Sequence, residues 1–284
     1  MPLVEAFLLV AIAFVLALQL RKSAVDARQS ERGRQELRER EVHLPERYSP
    51  DMVAGLPEPA RRFFNFAIAP GTRLATVVEL TMAGELSLGT KDKPDYRPMR
   101  ARELLAAPYG FVWELHAGAG VMRISGCDGM VNERSWTRFW LLRLLPVVRA
   151  GGDADHLRSS FGRAVAEAAF WSPAFLLPRE GVTWSRIDGD TARVTVTHGA
   201  LVQSVDIRVD RKGQPRWVSM PRWSNANPEH EYRTQAFGGE LSDFRVVSGY
   251  RVPFRVDGGN FFGSADYFPF YKAYVKDLRF RNAG

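Results

Sequence analysis

Residues 77–88 read VVELTMAGELSL. Val78, Leu80, Met82, Leu86 and Leu88 fall on one side of an extended chain, and Val77, Glu79, Thr81, Glu85 and Ser87 on the other. This is close to the two-residue period of a half-buried strand, with Gly84 marking a bend or the turn of a hairpin. The same reading extends outward to 98–105, 110–116 and 121–125, where the separators Pro108-Tyr109-Gly110 and Ala117-Gly118-Ala119-Gly120 are short enough to pair neighbours antiparallel. Further strands are predicted at 182–187, 192–197, 201–209, 216–220, 240–247, 250–256 and 271–280, several joined by turn pairs such as Asp188-Gly189 and Lys212-Gly213.

Two helices interrupt this pattern. Gly151-Gly152-Asp153 supplies a flexible lead and a capping side chain, after which Leu157, Phe161, Ala164, Val165 and Ala168 recur at helical spacing until Pro173. A shorter helix at 60–67 follows the prolines of Leu56-Pro57-Glu58-Pro59 and carries Phe63, Phe64 and Phe66. The fold expected is mainly β (α+β): a strongly curved antiparallel sheet or half-barrel of about ten strands with one long and one short helix, since so large a sheet curls or closes.

The N-terminus is of another character. LVEAFLLVAIAFVLALQL at 3–20 is apolar but for Glu5 and ends at Arg21-Lys22. About 18 such residues, each rising about 1.5 Å, are just long enough to cross a bilayer core of roughly 30 Å. A cleaved signal peptide would carry a basic start and a shorter apolar centre, so an uncleaved transmembrane anchor is the preferred reading. Arg21, Lys22, Arg28, Arg32, Arg34, Arg38 and Arg40 all follow the run, which predicts the large domain on the cytoplasmic side, with the extracytoplasmic side as the alternative. The expected organisation is an anchor at 3–20, a polar, solvated juxtamembrane spacer at 21–55 into which the helix can continue past Gly33, since Glu36 and Arg40 stand four apart, and one antiparallel β-rich domain at 56–281.

The 284 residues are 45% hydrophobic and 25% charged, with a net charge of +7. Basic residues are thinly spread apart from those after the apolar run, which favours a lipid surface over nucleic acid as the anionic partner. Cys127 is the single cysteine, so no intramolecular disulfide exists.

Five segments together resemble a known family. They are Leu56-Pro57-Glu58-Pro59-Ala60-Arg61-Arg62-Phe63, Pro108-Tyr109-Gly110-Phe111-Val112-Trp113, Ala166-Glu167-Ala168-Ala169-Phe170-Trp171-Ser172-Pro173 with Leu176-Leu177-Pro178, Val182-Thr183-Trp184, and Tyr250-Arg251-Val252-Pro253. In this order they resemble uncharacterised bacterial membrane-associated proteins that carry no assigned activity. The resemblance implies a bacterial membrane protein, and with the one apolar run at 3–20 the expectation is a single pass through the cytoplasmic (inner) membrane. In architecture, a strand-rich chain crossed by a helix also resembles the periplasmic lipoprotein carriers, whose half-open barrel with a helical lid holds acyl chains.

Catalytic signatures are absent from the sequence. His43, His116, His156, His198 and His230 never stand at metal-ligand spacing, so no metal and no cofactor is expected. Cys127 reads as a small residue beside a turn, with a thiol nucleophile near His116 as the other reading. Four residues carry the acid/base alternative: Glu167, and the loop triplet Glu229-His230-Glu231. For Glu167 a pair with Arg163, four residues earlier, is the preferred structural role. Rings are abundant, and Trp113, Phe161, Phe170, Trp171 and Trp184 are expected to line a ligand site, while 136–142 and 261–271 read either as core strands or as an interfacial belt. The expectation is a membrane-anchored protein that holds an apolar small molecule, a lipid or isoprenoid, in the concave face under the helix. The alternatives are an enzyme on a membrane-embedded substrate and a structural or assembly protein with no pocket. Protein partners are left open.

Overall fold

The computed structural model describes residues 2–281. The strands are β1 (Val78–Ser87), β2 (Tyr96–Ala106), β3 (Gly110–Ala117), β4 (Ile124–Val131), β5 (Arg134–Leu141), β6 (Leu145–Gly151), β7 (Val182–Arg186), β8 (Thr191–His198), β9 (Leu201–Val209), β10 (Pro215–Ser224), β11 (Arg233–Val247), β12 (Tyr250–Asn260) and β13 (Phe268–Phe280). The helices are α1 (Pro2–Arg38), α2 (Glu58–Ala67) and α3 (Ala154–Trp171). All the strands join one antiparallel sheet in the order β6-β5-β4-β3-β2-β1-β13-β12-β11-β10-β9-β8-β7. The chain meanders from the middle outward to β6, crosses in α3 to the opposite edge, and meanders back until β13 pairs with β1, Val78 facing Phe280 and Leu86 facing Tyr271.

The class is the one expected, mainly β with a long and a short helix beside the N-terminal one, but among the described residues the strands number thirteen, not about ten. The expected set lacks β6 and holds β5 only as the core-strand alternative for 136–142. Asp128 between Gly126 and Gly129 hides the period of β4, which continues to Val131, and β6 is exposed along its whole length with Pro146 inside it. Residues 77–88 form one strand with a register shift between Thr81 and Met82, and no hairpin.

α3 touches β2, β3, β4, β5 and β6 on one flank and β9, β10 and β12 on the other, which requires the sheet to curl around it. Asp153 caps it by accepting from the His156 N–H at 2.8 Å. Its alanines at 164, 166, 168 and 169 let it lie deep in the concavity, and a Cβ at Gly162 would meet Gln203 Oε1 at 2.6 Å. The main core lies here, between α3, α2 and the concave face.

A second cluster sits on the convex face, where Leu37 packs with Val77, Leu104, Val112, Cys127, Val131 and Trp136. This corrects the solvated spacer. α1 runs unbroken to Arg38, and Ser23, Asp26, Ser30, Arg34 and Leu37 are buried against the sheet. The Asp26 carboxylate accepts from Arg138 (2.9 Å), Trp140 Nε1 (3.0 Å) and Arg149 (2.7 Å), and Glu36 accepts from Asn132 and Arg134. The polar stretch escapes an apolar reading because its buried face is matched charge by charge to distant strands. N-terminal to this, the side chains are exposed, Phe7 by 75% and Leu9 by 67%, and α1 is the one helix among the described residues long and apolar enough to cross a membrane.

Candidate functional site

Between α3 and the concave face lies a cavity of about 330 Å³, within the range of about 300–1,000 Å³ usual for small-molecule sites. Its walls come from distant strands: Trp113 of β3, Phe139 of β5, Val218 and Met220 of β10, Phe237 of β11, and Phe270 and Tyr271 of β13, under Ala166, Phe170 and Trp171 of α3. On β11 and β12, Gly238, Gly239 and Gly258 leave one wall without side chains.

The cavity opens at one end of the sheet. The wall residues Leu88, Val147 and Val148 are 53%, 47% and 41% exposed, and around them the β3–β4 turn carries Val121 and Met122, while Leu142 and Leu145 flank the β5–β6 turn, all exposed. The two turns are tied by Leu142 N–H donating to Arg123 O at 2.9 Å. α1 approaches this same end: Glu36 lies by Arg134 at the start of β5, and Asp26 by Arg138 and Trp140 further along it. The apolar half of α1 therefore emerges beside the mouth.

The floor is charged. Arg163 of α3 donates to Glu167 Oε1 (2.7 Å) and Asp128 Oδ2 (2.7 Å), and its third nitrogen lies 3.5 Å from Glu103 Oε1. Its guanidinium stacks 4.4 Å from the Phe111 ring and 4.9 Å from that of Trp113. Burial, and then the charge of Glu167, push Glu103 well above its ordinary 4.5. Although burial opposes it, the acids Glu167, Glu103 and Asp128 hold Arg163 firmly charged. Burial and then Glu103 likewise raise Tyr271 well above the usual phenol range, and its hydroxyl donates to Met82 Sδ at 2.7 Å. From Asp128 a polar chain leads outward: the Thr137 hydroxyl donates to Asp128 Oδ1 at 2.8 Å, and His156 bridges Thr137 (3.0 Å) and Ser135 (2.8 Å). Since the Thr137 proton is committed to Asp128, His156 donates to Thr137 from Nε2.

Arg222 of β10 completes the ring of charge. It lines the cavity, its guanidinium 4.8 Å from the Phe237 ring, and its Nε is buried without a partner. Glu103 Oε2, Glu167 Oε2 and Trp113 Nε1 are also buried and unpartnered.

Of the ring residues expected at the site, Trp113, Phe170 and Trp171 line the cavity and two do not. Phe161 is wholly buried in the core, on another side of α3. Trp184 packs edge-on against Phe64 at 5.4 Å and donates to Leu176 O, because β7 is an edge strand covered by α2. Glu167 is at the cavity and paired with Arg163 as the spacing predicts. The triplet Glu229-His230-Glu231 is elsewhere: all three are exposed, Glu229 pairs with Arg233, and the loop hangs by Trp223 Nε1 on Asp155. Asp155 precedes Glu167 by twelve residues, about 18 Å along a helix, so the triplet and Glu167 do not form one acid/base site. Among the described residues no group of three His, Cys, Asp or Glu is placed to hold a metal ion. Cys127 faces the convex cluster, and burial pushes its thiol up to about 12, which removes it as a nucleophile. Sequence reasoning missed Glu103, Asp128 and Arg222. The available signal was period two: Glu103 shares a face with Met99, Ala101 and Leu105, and Arg222 with Val218 and Met220.

No curated protein matches the sequence. Among solved structures the chain is similar to a LolA superfamily protein, NE2245, from Nitrosomonas europaea, at 10% identity and a TM-score of 0.41, covering 79% of this chain and 92% of that one. It is also similar to a putative outer membrane lipoprotein-sorting protein domain from Vibrio parahaemolyticus, at 12% identity and a TM-score of 0.38, covering 82% of this chain and 92% of that one. Residues 46–273 match the model of a family of unknown function, DUF6544. By this match over most of its length, the chain belongs to the family DUF6544.

Proposed function

We propose that the protein is a membrane-anchored binder of an apolar ligand, a lipid or isoprenoid, which enters the cavity beneath α3 from the bilayer surface. The carrying observation is the position of the mouth: an apolar cavity opens between apolar turn tips on the end of the sheet from which the membrane-length half of α1 emerges. With residues 3–20 in a bilayer, Val121, Met122, Leu142 and Leu145 lie at its surface beside Arg123 and Arg143, a composition suited to an anionic interface. The basic residues following the apolar run favour a single pass with the domain on the cytoplasmic side of a bacterial inner membrane. Burial of hydrocarbon, at about 0.8 kcal/mol per methylene, would supply the affinity.

Gly258 gives the test. A Cβ there would meet nothing nearer than Gly238 O at 3.6 Å, so a larger side chain projects into the cavity without disturbing the strands. Native mass spectrometry of protein extracted in mild detergent is expected to show a co-purifying lipid in the wild type and to lose it in Gly258→Leu at an unchanged thermal midpoint. A wild type that repeatedly carries nothing, or a variant that carries the same lipid as fully, overturns the reading.

A further inference from the structure

The charges around the cavity are unevenly paired. Arg163 engages Asp128 and Glu167 and lies 3.5 Å from Glu103. Arg222 stands on the same cavity with no ion pair and no hydrogen bond among the described residues, its Nε buried and unpartnered. The charges that reach it are the like charge of Arg163 and, behind that, Asp128 and Glu167, both already committed. A guanidinium cannot shed its proton to escape this position, so the half-buried cation faces the cavity with no acceptor bonded to it. Along β10 the same face continues through Met220 and Val218, and Phe170 and Trp171 of α3 also border the cavity, so hydrocarbon surface lies within it beside the charge.

We infer that the cavity takes a single-chain amphiphile with an anionic head, whose oxygens pair with the Arg222 guanidinium while the tail lies against Met220, Val218, Phe170 and Trp171. The fork of the guanidinium suits a carboxylate or a phosphate monoester. This inference rests on the cavity being a ligand site, as proposed above, and adds the chemistry of the head.

The test compares three probes of one chain length, oleate, oleyl phosphate and oleyl alcohol, binding to the full chain in detergent. The wild type is expected to bind at least one of the anions about 10- to 100-fold more tightly than the alcohol, the usual worth of a charged hydrogen-bonded contact. The better anion distinguishes a fatty acid from a phosphorylated lipid as the source of the head. Arg222→Met keeps the side-chain bulk and removes a half-buried charge repelled by Arg163, so the fold should hold; the variant should keep its affinity for the alcohol and lose the preference for the anion. Equal binding of all three probes by the wild type, or a preference that survives in Arg222→Met, overturns the inference while leaving the apolar site standing. Failure of the alcohol and both anions to bind removes the site itself.

Discussion

Glu103 shows how one side chain sets the electrostatics of the cavity. The pleat of β2 points it toward α3, it is 1% exposed, and it meets Arg163 among three acids. Replacing Arg163 by Met leaves the Asp128 and Glu167 charges buried without their partner, and should cost about 3–5 kcal/mol in urea unfolding. Glu103→Gln removes a carboxyl that burial holds well above its ordinary range. In the unfolded chain Glu103 ionises above about 4.5, whereas the raised folded value keeps it protonated, so the native state binds the extra proton and wild-type stability falls as pH rises between the two values. The variant lacks that slope. Its stability relative to wild type should therefore climb as pH rises above about 4.5, and a difference independent of pH would show that folded Glu103 titrates as in the unfolded chain.

At the scale of elements, α1 is one helix doing two jobs. Its first half presents apolar side chains all round, and its second half lays a polar but buried face on β2, β3 and β4. Gly33 lets the helix approach, since a Cβ there would meet Trp136 and Val131 at 3.1 Å. Leu37→Ala removes the wholly buried anchor of this contact and should cost about 2–5 kcal/mol. Asp26→Ala strands Arg138 and Arg149 at its other end. In limited trypsin digestion of the full chain in detergent, both variants should be cut at Arg32 and Arg34 under conditions where the wild type survives. Equal resistance would mean that the docking contributes little. The β5–β6 turn is built at some expense: Leu142 and Arg143 adopt φ of 52° and 63°, left-handed conformations costing about 1–2 kcal/mol each in non-glycine residues. A leucine is thereby held outward at the mouth.

The whole molecule combines a curled sheet, an inner helix and an outer helix so that the mouth of the cavity and the apolar run of α1 share one end. Val121 and Val246 are both exposed valines, 75% and 65%, but the first borders the mouth and the second lies in β11 near the β11–β12 turn. An environment-sensitive dye on Val121→Cys should report an apolar medium after reconstitution into anionic vesicles, and the same dye on Val246→Cys should report water. Cys127, 5% exposed and with its thiol raised to about 12, will not compete for label. Identical spectra at the two positions would place the mouth away from the bilayer.

Local order was legible in the residues themselves. The period of 77–88, the cap and stop of α3, the membrane-length run at 3–20 and the Arg163–Glu167 pair all depend on neighbours within a few positions, where chain geometry dictates which side chains meet. Placement at a distance was decided by the fold. Period two assigns Glu103 and Arg222 to faces of β2 and β10, but whether those faces meet, and meet Asp128 of β4, depends on how far the sheet curls and on α3 crossing from one edge to the other. The burial of the polar half of α1 likewise comes from charges about a hundred residues away, Asp26 on Arg138 and Glu36 on Arg134. Such pairs leave no periodic trace, because a charge becomes part of a core only when the tertiary structure brings its counterpart to it.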